Sequence, residues 1–337
     1  MTTPTREIHL ARRPTGPPDA ETFAFVDRLL PAPADGQVVV RNLALSIDPY
    51  MRPRMNDEPS YVKPYEVGKA LLGGAVGEVI ASANSSIPRG TKVLHSSGWR
   101  EHALLSGDQV KVIADGPFPL SYHLGVLGMP GFTAYLGLMH IAEFRPGDIV
   151  FVSAAGGAVG GLVGQFARLS DAGKVIGSAG SEEKAAYVLK DLGFHAAINY
   201  RSEEPLVTQL RRASPEGVDV YFDNVGGEHL SATREVMRDH GRIALCGTIS
   251  SYNGSSGTTV PGNMFKAVAK RLTLKGFLTL DHEPVRPAFE AAVADWLASG
   301  QLHYRETSTS GLDSMPAAFA GMLQGSNTGK AIVTLPG

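Results

Sequence analysis

The stretch VFVSAAGGAVGGLVGQFARL (residues 150–169) limits what this chain can fold into more than any other. Val150, Phe151 and Val152 run directly into a turn of small residues. Beyond the turn, Val159, Leu162, Val163 and Phe166 recur at the i, i+3, i+4, i+7 spacing of one buried helix face. At such a strand–turn–helix junction the N–H groups of the turn and the first helical turn are left to face an anion. Ala155, Gly157 and Gly160 fit the A-x-G-x-x-G form of the dinucleotide fingerprint, with Ala155 in place of the usual first glycine. A lone pattern of this kind can be a plain tight turn, so its surroundings matter.

Those surroundings alternate strand and helix. DIVFVSA (148–154), KVIGSA (174–179), AAINY (196–200), VDVYFDN (218–224) and RIALCG (242–247) read as strands. Between them, Ala185, Val188, Leu189 and Leu192 mark another helix face, with Gly193 as its C-terminal cap. Apolar strands separated by amphipathic helices predict a parallel, doubly wound α/β sheet. Residues 1–125 differ. QVVVRNLALSID reads as a strand pair, and further short strands punctuated by Gly, Ser and Pro suggest a barrel or sandwich. The last stretch returns to mixed patterning, with HYRET and KAIVTL as strands around a helix near 315–323. The expected division is 1–125, completed by 300–337, with 126–299 between. Residues 250–263 (SSYNGSSGTTVPGN) form a polar loop long enough to be functional.

Composition excludes several classes. The formal net charge is −2 and basic residues are scattered, so neither nucleic acid nor a membrane surface is an expected partner. No apolar run approaches the ~20 residues of a membrane span. The single cysteine, Cys246, rules out an internal disulfide and fits a reducing compartment. The opening MTTPTREIHLARRPTGPP lacks the apolar core of a signal peptide, so a cytoplasmic location is expected.

The second strand selects among dinucleotides. NAD sites usually carry an acidic residue there for the adenosine ribose, but this strand ends GSAGSEEK, with no acid at Ser178, Ala179 or Gly180. A 2′-phosphate meets no repulsion there, Ser181 can donate to it and Lys184 lies within one turn, so NADPH is expected. The alternative is that Ser181 caps the helix and Lys184 is solvated. Ligands bind beyond the C-terminal ends of parallel strands, which adds Tyr200, Asn224, Cys246 and Gly247 as lining. Asn224 could equally begin a plain turn and Cys246 be a small buried hydrophobe. A catalytic zinc ion needs three protein ligands, and the ten histidines show no paired motif. His95 and His102 read as ordinary barrel residues, and no metal is expected.

At this point the chain resembles the zinc-free medium-chain dehydrogenase/reductase superfamily, in the branch of prostaglandin/leukotriene reductases, alkenal double-bond reductases and bacterial curcumin reductases. The matching stretches are LSIDPYMR (45–52), LGMPGFTAYLGL (127–138), SAAGGAVGGLVGQ (153–165), GSAGSEEK (177–184), LGFHAAINY (192–200), YFDNVGG (221–227), CGTISSYN (246–253) and GSNTGKAIV (325–333). The resemblance implies a GroES-like β-rich domain joined by the C-terminal tail, with a Rossmann domain inserted. It implies NADPH and hydride addition to the carbon–carbon double bond of an α,β-unsaturated ketone or aldehyde. Ala158, Val159, Gly160 and Gly161 would hold the pyrophosphate, next to Gly157 of the fingerprint. Lys184 would meet the 2′-phosphate, with Tyr200 near the same end. Asn224, Cys246, Gly247, Thr248, Ile249, Ser250 and Tyr252 would border the cofactor, as would Phe277, Leu278, Thr279 and Asn327. Zinc-dependent relatives carry a cysteine near Asp48 and a histidine near Gly74, and both are absent here.

Reduction of an enone leaves charge on the carbonyl oxygen as an enolate, which needs a donor. Tyr252 is the first candidate, with Tyr50 as pocket wall or second donor; either could instead be purely structural. The α-carbon proton could come from Tyr252, water or a ribose hydroxyl. A quinone reductase on the same scaffold is the nearest rival, and a non-catalytic nucleotide-binding protein the rival of another class. RLTLKGFLTL reads as an exposed edge strand, and with the resemblance it implies a homodimer.

Overall fold

The computed structural model describes residues 2–254 and 264–336. Residues 255–263 of the polar loop therefore lie outside the described residues. The chain divides into two compact units, Met1–Leu124 with Glu306–Gly337, and Gly125–Arg305.

The first unit opens with an antiparallel ribbon, β1 (Thr3–Leu10) and β2 (Phe23–Leu30). Next comes β3 (Gln37–Ser46), a single long strand rather than the expected pair. Asn42 stays inside it, its side chain donating to Ser97 O and Arg100 O, and the register shifts twice against its neighbour, at 39/40 and between 42 and 44. That neighbour is β4 (Ala75–Ser82), followed by β5 (Lys92–His95), β6 (His102–Ser106) and β7 (Val110–Val112). Trp99 is fully buried in the core, stacked on Phe23 at 5.5 Å and edge-on to Phe319 at 5.7 Å.

The second unit begins with α1 (Met129–Leu136) and continues β8 (Ile149–Val152), α2 (Gly160–Leu169), β9 (Lys174–Ala179), α3 (Glu182–Lys190), β10 (Ala196–Asn199), α4 (Leu206–Ala213), β11 (Val218–Asp223), α5 (Gly227–Val236) and β12 (Met237–Leu245). After it come α6 (Phe265–Ala269), β13 (Thr273–Gly276) and α7 (Arg286–Ala298). Among the described residues the sheet order is β10-β9-β8-β11-β12-β13, and every pairing is parallel. This is the doubly wound Rossmann order, and it reverses direction between β8 and β11. In α3 the buried residues are Ala185, Tyr187 and Val188, whereas Leu189 is 40% exposed, contrary to the expected face. Gly193 is left-handed, at φ 69°, but the C-cap of α3 is Asp191, two residues before it. Residues 300–305 stay with this unit: the Gln165 amide donates to His303 O at 3.0 Å and accepts from His303 N at 2.7 Å.

The tail returns to the first unit as β14 (Glu306–Ser310), α8 (Met315–Leu323) and β15 (Lys330–Thr334). β15 pairs antiparallel with β3, so the last residues of the chain complete the first β-sheet.

Candidate cofactor and active site

The turn after β8 is built from small residues for steric reasons. Ala154 is left-handed, at φ 52°, and its carbonyl accepts from Gly157 N at 3.0 Å. A Cβ at Gly160 would stand 2.4 Å from that same carbonyl oxygen, so only glycine lets α2 start there. Ala155 N is tied to Ser178 O at 2.9 Å, which joins the turn to β9. Gly157, Ala158 and Val159 remain half-buried, and no side chain caps the head of α2. Gly161 N donates to Gly157 O at 3.0 Å, which closes the first turn of α2 and leaves the Gly157–Val159 turn at a helix N-terminus, where an anion is favoured.

Beyond β9 the chain passes through Gly180 to Ser181. The Ser181 hydroxyl accepts from Lys184 N at 3.2 Å, so it does cap α3, and its own proton stays available to a further acceptor. Lys184 is half-buried and its stem lies across Gly156, 3.6 Å from where a Cβ would be. Burial, then the charge of Arg201, hold its ammonium below the usual lysine range. Tyr200 stands with its hydroxyl 2.7 Å from the Cβ position of Gly180 and its ring edge-to-face with His229 at 4.9 Å. His229 is buried, which pushes it down to about 4, and its Nε2 lies 3.1 Å from Ser178 Oγ. Sequence reasoning missed both His229 and Arg201; the one available signal was that Arg201 follows Tyr200 at a strand end.

At the ends of β8, β11 and β12 the structure gathers a network. Asp223, 1% exposed, accepts through Oδ1 from the Tyr221 hydroxyl (2.7 Å), Val225 N (2.9 Å) and Gly226 N (2.8 Å). Its carbonyl accepts from Cys246 N at 2.9 Å and Gly247 N at 3.1 Å. Asn224 donates Nδ2 to Ser153 O at 2.8 Å, and its N–H donates to Ser153 Oγ at 2.9 Å. Cys246 has its thiol pushed up to about 12 by burial and then by Asp223, which disfavours the thiolate. Thr248, Ile249 and Ser250 follow, with Ser250 Oγ donating to Val225 O at 2.6 Å. The Tyr252 hydroxyl lies 3.5 Å from the Cβ position of Gly247, itself 3.3 Å from Asn224 O. Phe277, Leu278 and Thr279 leave the end of β13, where Phe277 meets Phe222 edge-on at 6.4 Å. Asp223 and Ser153 were not singled out from sequence, although Asp223 adjoins Asn224.

Tyr50 and Asn327 belong to the first unit. Tyr50 occupies a one-turn helix, Pro49–Met51, in which burial and then Asp48 raise its phenol well above the usual tyrosine range. Arg52, 2% exposed, braces this segment by donating to Gly16 O (2.8 Å) and Asn56 Oδ1 (2.7 Å). Asn327 Nδ2 donates to Gly329 O at 2.7 Å. Asp48 is buried and accepts from Ser46 Oγ and, at 3.0 Å, from the fully buried Lys330 ammonium.

Residues 6–113 match the family described as N-terminal domain of oxidoreductase, and residues 158–299 the family described as zinc-binding dehydrogenase. The residues here do not fit a zinc ion. Among the described residues no three His, Cys, Asp or Glu side chains come together as a metal site, and Asp48 is neutralised by Lys330. The chain is 38% identical over 333 residues to the NADPH-dependent curcumin reductase of Escherichia coli, covering 97% of this chain and 96% of that protein. It is 40% identical over 333 residues to the NADP(+)-dependent 2-alkenal reductase of Nicotiana tabacum, with the same coverage. The crystal structure of CurA from Vibrio vulnificus in complex with NADPH superimposes with a TM-score of 0.93 at 40% identity, over 98% of this chain and 99% of that one. Similarity that runs from one end of both chains to the other, over a doubly wound sheet with a bare glycine turn, means that this chain belongs to the zinc-free branch of the medium-chain dehydrogenase/reductase superfamily.

Proposed function

We infer that the chain is an NADPH-dependent reductase of the carbon–carbon double bond in α,β-unsaturated ketones and aldehydes. The observation that carries this reading is the open turn at the head of α2, with Lys184 laid across it and no carboxylate where β9 ends. A dinucleotide with a 2′-phosphate fits that donor set. Relatives at 38% and 40% identity are named for NADPH-dependent curcumin reduction and for 2-alkenal reduction, and the CurA structure holds NADPH.

In this reading Gly157, Ala158, Val159, Gly160 and Gly161 hold the pyrophosphate, and Lys184 and Ser181 the 2′-phosphate, with Tyr200 beside them. Asn224, the 246–252 segment, Phe277, Leu278, Thr279 and Asn327 border the rest of the cofactor. Bound NADPH supplies the hydride that adds to the β-carbon. Charge then collects on the substrate carbonyl oxygen, and a neutral hydroxyl aimed at it stabilises the enolate. Tyr252, beside Gly247 at the strand ends, is assigned that role. Tyr50 is assigned to the substrate wall, where its buried phenol stays protonated and can donate. The α-carbon is then protonated to complete the reduction.

The test is NADPH oxidation with a panel of short alkenals, aryl enones and quinones. Enones and alkenals are expected to give the highest kcat/KM. Turnover with quinones alone overturns the double-bond assignment, and NADPH binding without any turnover overturns the enzymatic one.

We also propose a homodimer in a reducing, cytoplasmic setting. β13 ends the parallel sheet among the described residues, and Phe265, Val268 and Leu280 near it are 68%, 72% and 68% exposed. A lone cysteine supports the compartment. Among the described residues no helix is long and apolar enough to cross a membrane. Sedimentation velocity at the mass of one chain would overturn the dimer.

A further inference from the structure

Arg201 lies two residues beyond the end of β10, next to Tyr200, and is exposed. Its guanidinium carbon lies 5.8 Å from the centroid of the Tyr200 ring, and its Nε lies 3.4 Å from the Cβ position of Gly180. Gly180 belongs to a different segment, the turn between β9 and α3. Lys184 approaches the same turn from the first turn of α3, with its stem over Gly156. The two cations are close enough that Arg201 disfavours the charged form of Lys184, second only to burial. Glu183 opposes this effect, while the Glu182 carboxylate is engaged by Asn199 Nδ2 at 2.7 Å.

Two cations gathered from separate elements repel each other until an anion lies between them. A phosphate monoester, with a charge of about −2 and three acceptor oxygens, can satisfy both. The glycine at 180 also matters, because a side chain there would collide with the Tyr200 hydroxyl at 2.7 Å and close the approach. Arg201 has a planar fork of donors, so it can bind phosphate oxygens in pairs where Lys184 acts as a point charge.

We propose that Arg201 is a second ligand for the 2′-phosphate of NADPH, so that selectivity over NADH is divided between Arg201 on β10's side and Lys184 on α3's side. The proposal rests on the cofactor reading given under Proposed function and adds a residue to it.

The experiment measures Kd for NADPH and for NADH by quenching of tryptophan fluorescence in the wild type, Arg201→Ala, Arg201→Lys, Lys184→Ala and the double alanine variant. Loss of one charge-assisted contact predicts that Arg201→Ala raises the NADPH Kd by about tenfold. NADH binding should move by less than about twofold, Arg201→Lys should recover part of the loss, and the double variant should bind the two cofactors nearly alike. Because Arg201 is exposed, matching thermal melts are expected for its variants. If Lys184→Ala weakens NADPH and Arg201→Ala does not, Arg201 is no ligand while the cofactor site stands. If neither substitution affects NADPH, the site reading itself falls. An equal loss for both cofactors in Arg201→Ala would mean that Arg201 shapes the Tyr200 wall and does not read the phosphate.

Discussion

Tyr252→Phe deletes one oxygen beside Gly247 and leaves the ring in place, so it isolates the donor role from packing. We expect kcat to fall by about 100-fold, the scale seen when one oxyanion donor is removed, with the NADPH Kd held within about twofold. Stopped-flow turnover alongside a binding isotherm checks both, and an unchanged kcat would assign the enolate donor elsewhere. Lys184 and Asn224 could be proposed from sequence because each follows a strand end that the apolar pattern marks, and Tyr252 because it opens a polar loop beyond such an end. Asp223 could not be read that way. Its partners come from its own strand, the following turn, Cys246 and Gly247 beyond β12, and Ser153, which is 70 residues away. A lone aspartate before Asn-Val-Gly-Gly gives no hint that six N–H and O–H groups will converge on its carboxylate and carbonyl.

Among the elements, the β8–α2 junction contains two glycines with different tasks. At Gly160 a Cβ would meet the backbone oxygen of Ala154 at 2.4 Å, so Gly160→Ala must move the turn itself. At Gly164 it would meet the Phe194 ring at 1.8 Å, so Gly164→Ala pushes α2 off the packing beneath it. Overpacking of this kind costs about 1–3 kcal/mol. Both variants should therefore melt lower, but Gly160→Ala should also weaken NADPH binding by about tenfold or more, whereas Gly164→Ala should keep it near wild type. Equal NADPH affinity in the two variants would show that the turn does not hold the cofactor. Other elements show where periodicity reaches its limit. In α3 it placed Leu189 inside, yet α3 ends at Lys190 and the burial goes to Tyr187, one of whose neighbours is His303 at 6.0 Å. In β3 it split one strand in two, because the burial alternation slips at bulges that depend on β4.

On the scale of the whole molecule, pH links both units to stability. His95 in the first unit and His229 in the second are buried and pushed from 6.5 to about 4. The unfolded chain protonates them near 6.5 and the folded chain does not, so between these values the unfolded state binds more protons and stability falls as pH falls. Above about pH 6.5 this contribution is fully present; at pH 5 about 2 kcal/mol per histidine is lost. Calorimetric Tm is expected to drop by several degrees between pH 7 and pH 5, and His229→Gln should make the drop shallower. A variant whose Tm falls as steeply as wild type would remove His229 from this account. The sequence alone determined the strand–turn–helix at 150–169, the parallel α/β character of the middle of the chain, and the lack of an acid where β9 ends, since all three are patterns among near neighbours. Only the tertiary structure decided that Lys330 neutralises Asp48 across 282 residues, that His229 props Tyr200, and that Arg201 faces Gly180. These contacts follow from which strands lie side by side, and a strand's own residues specify that it is buried without specifying which strands become its neighbours.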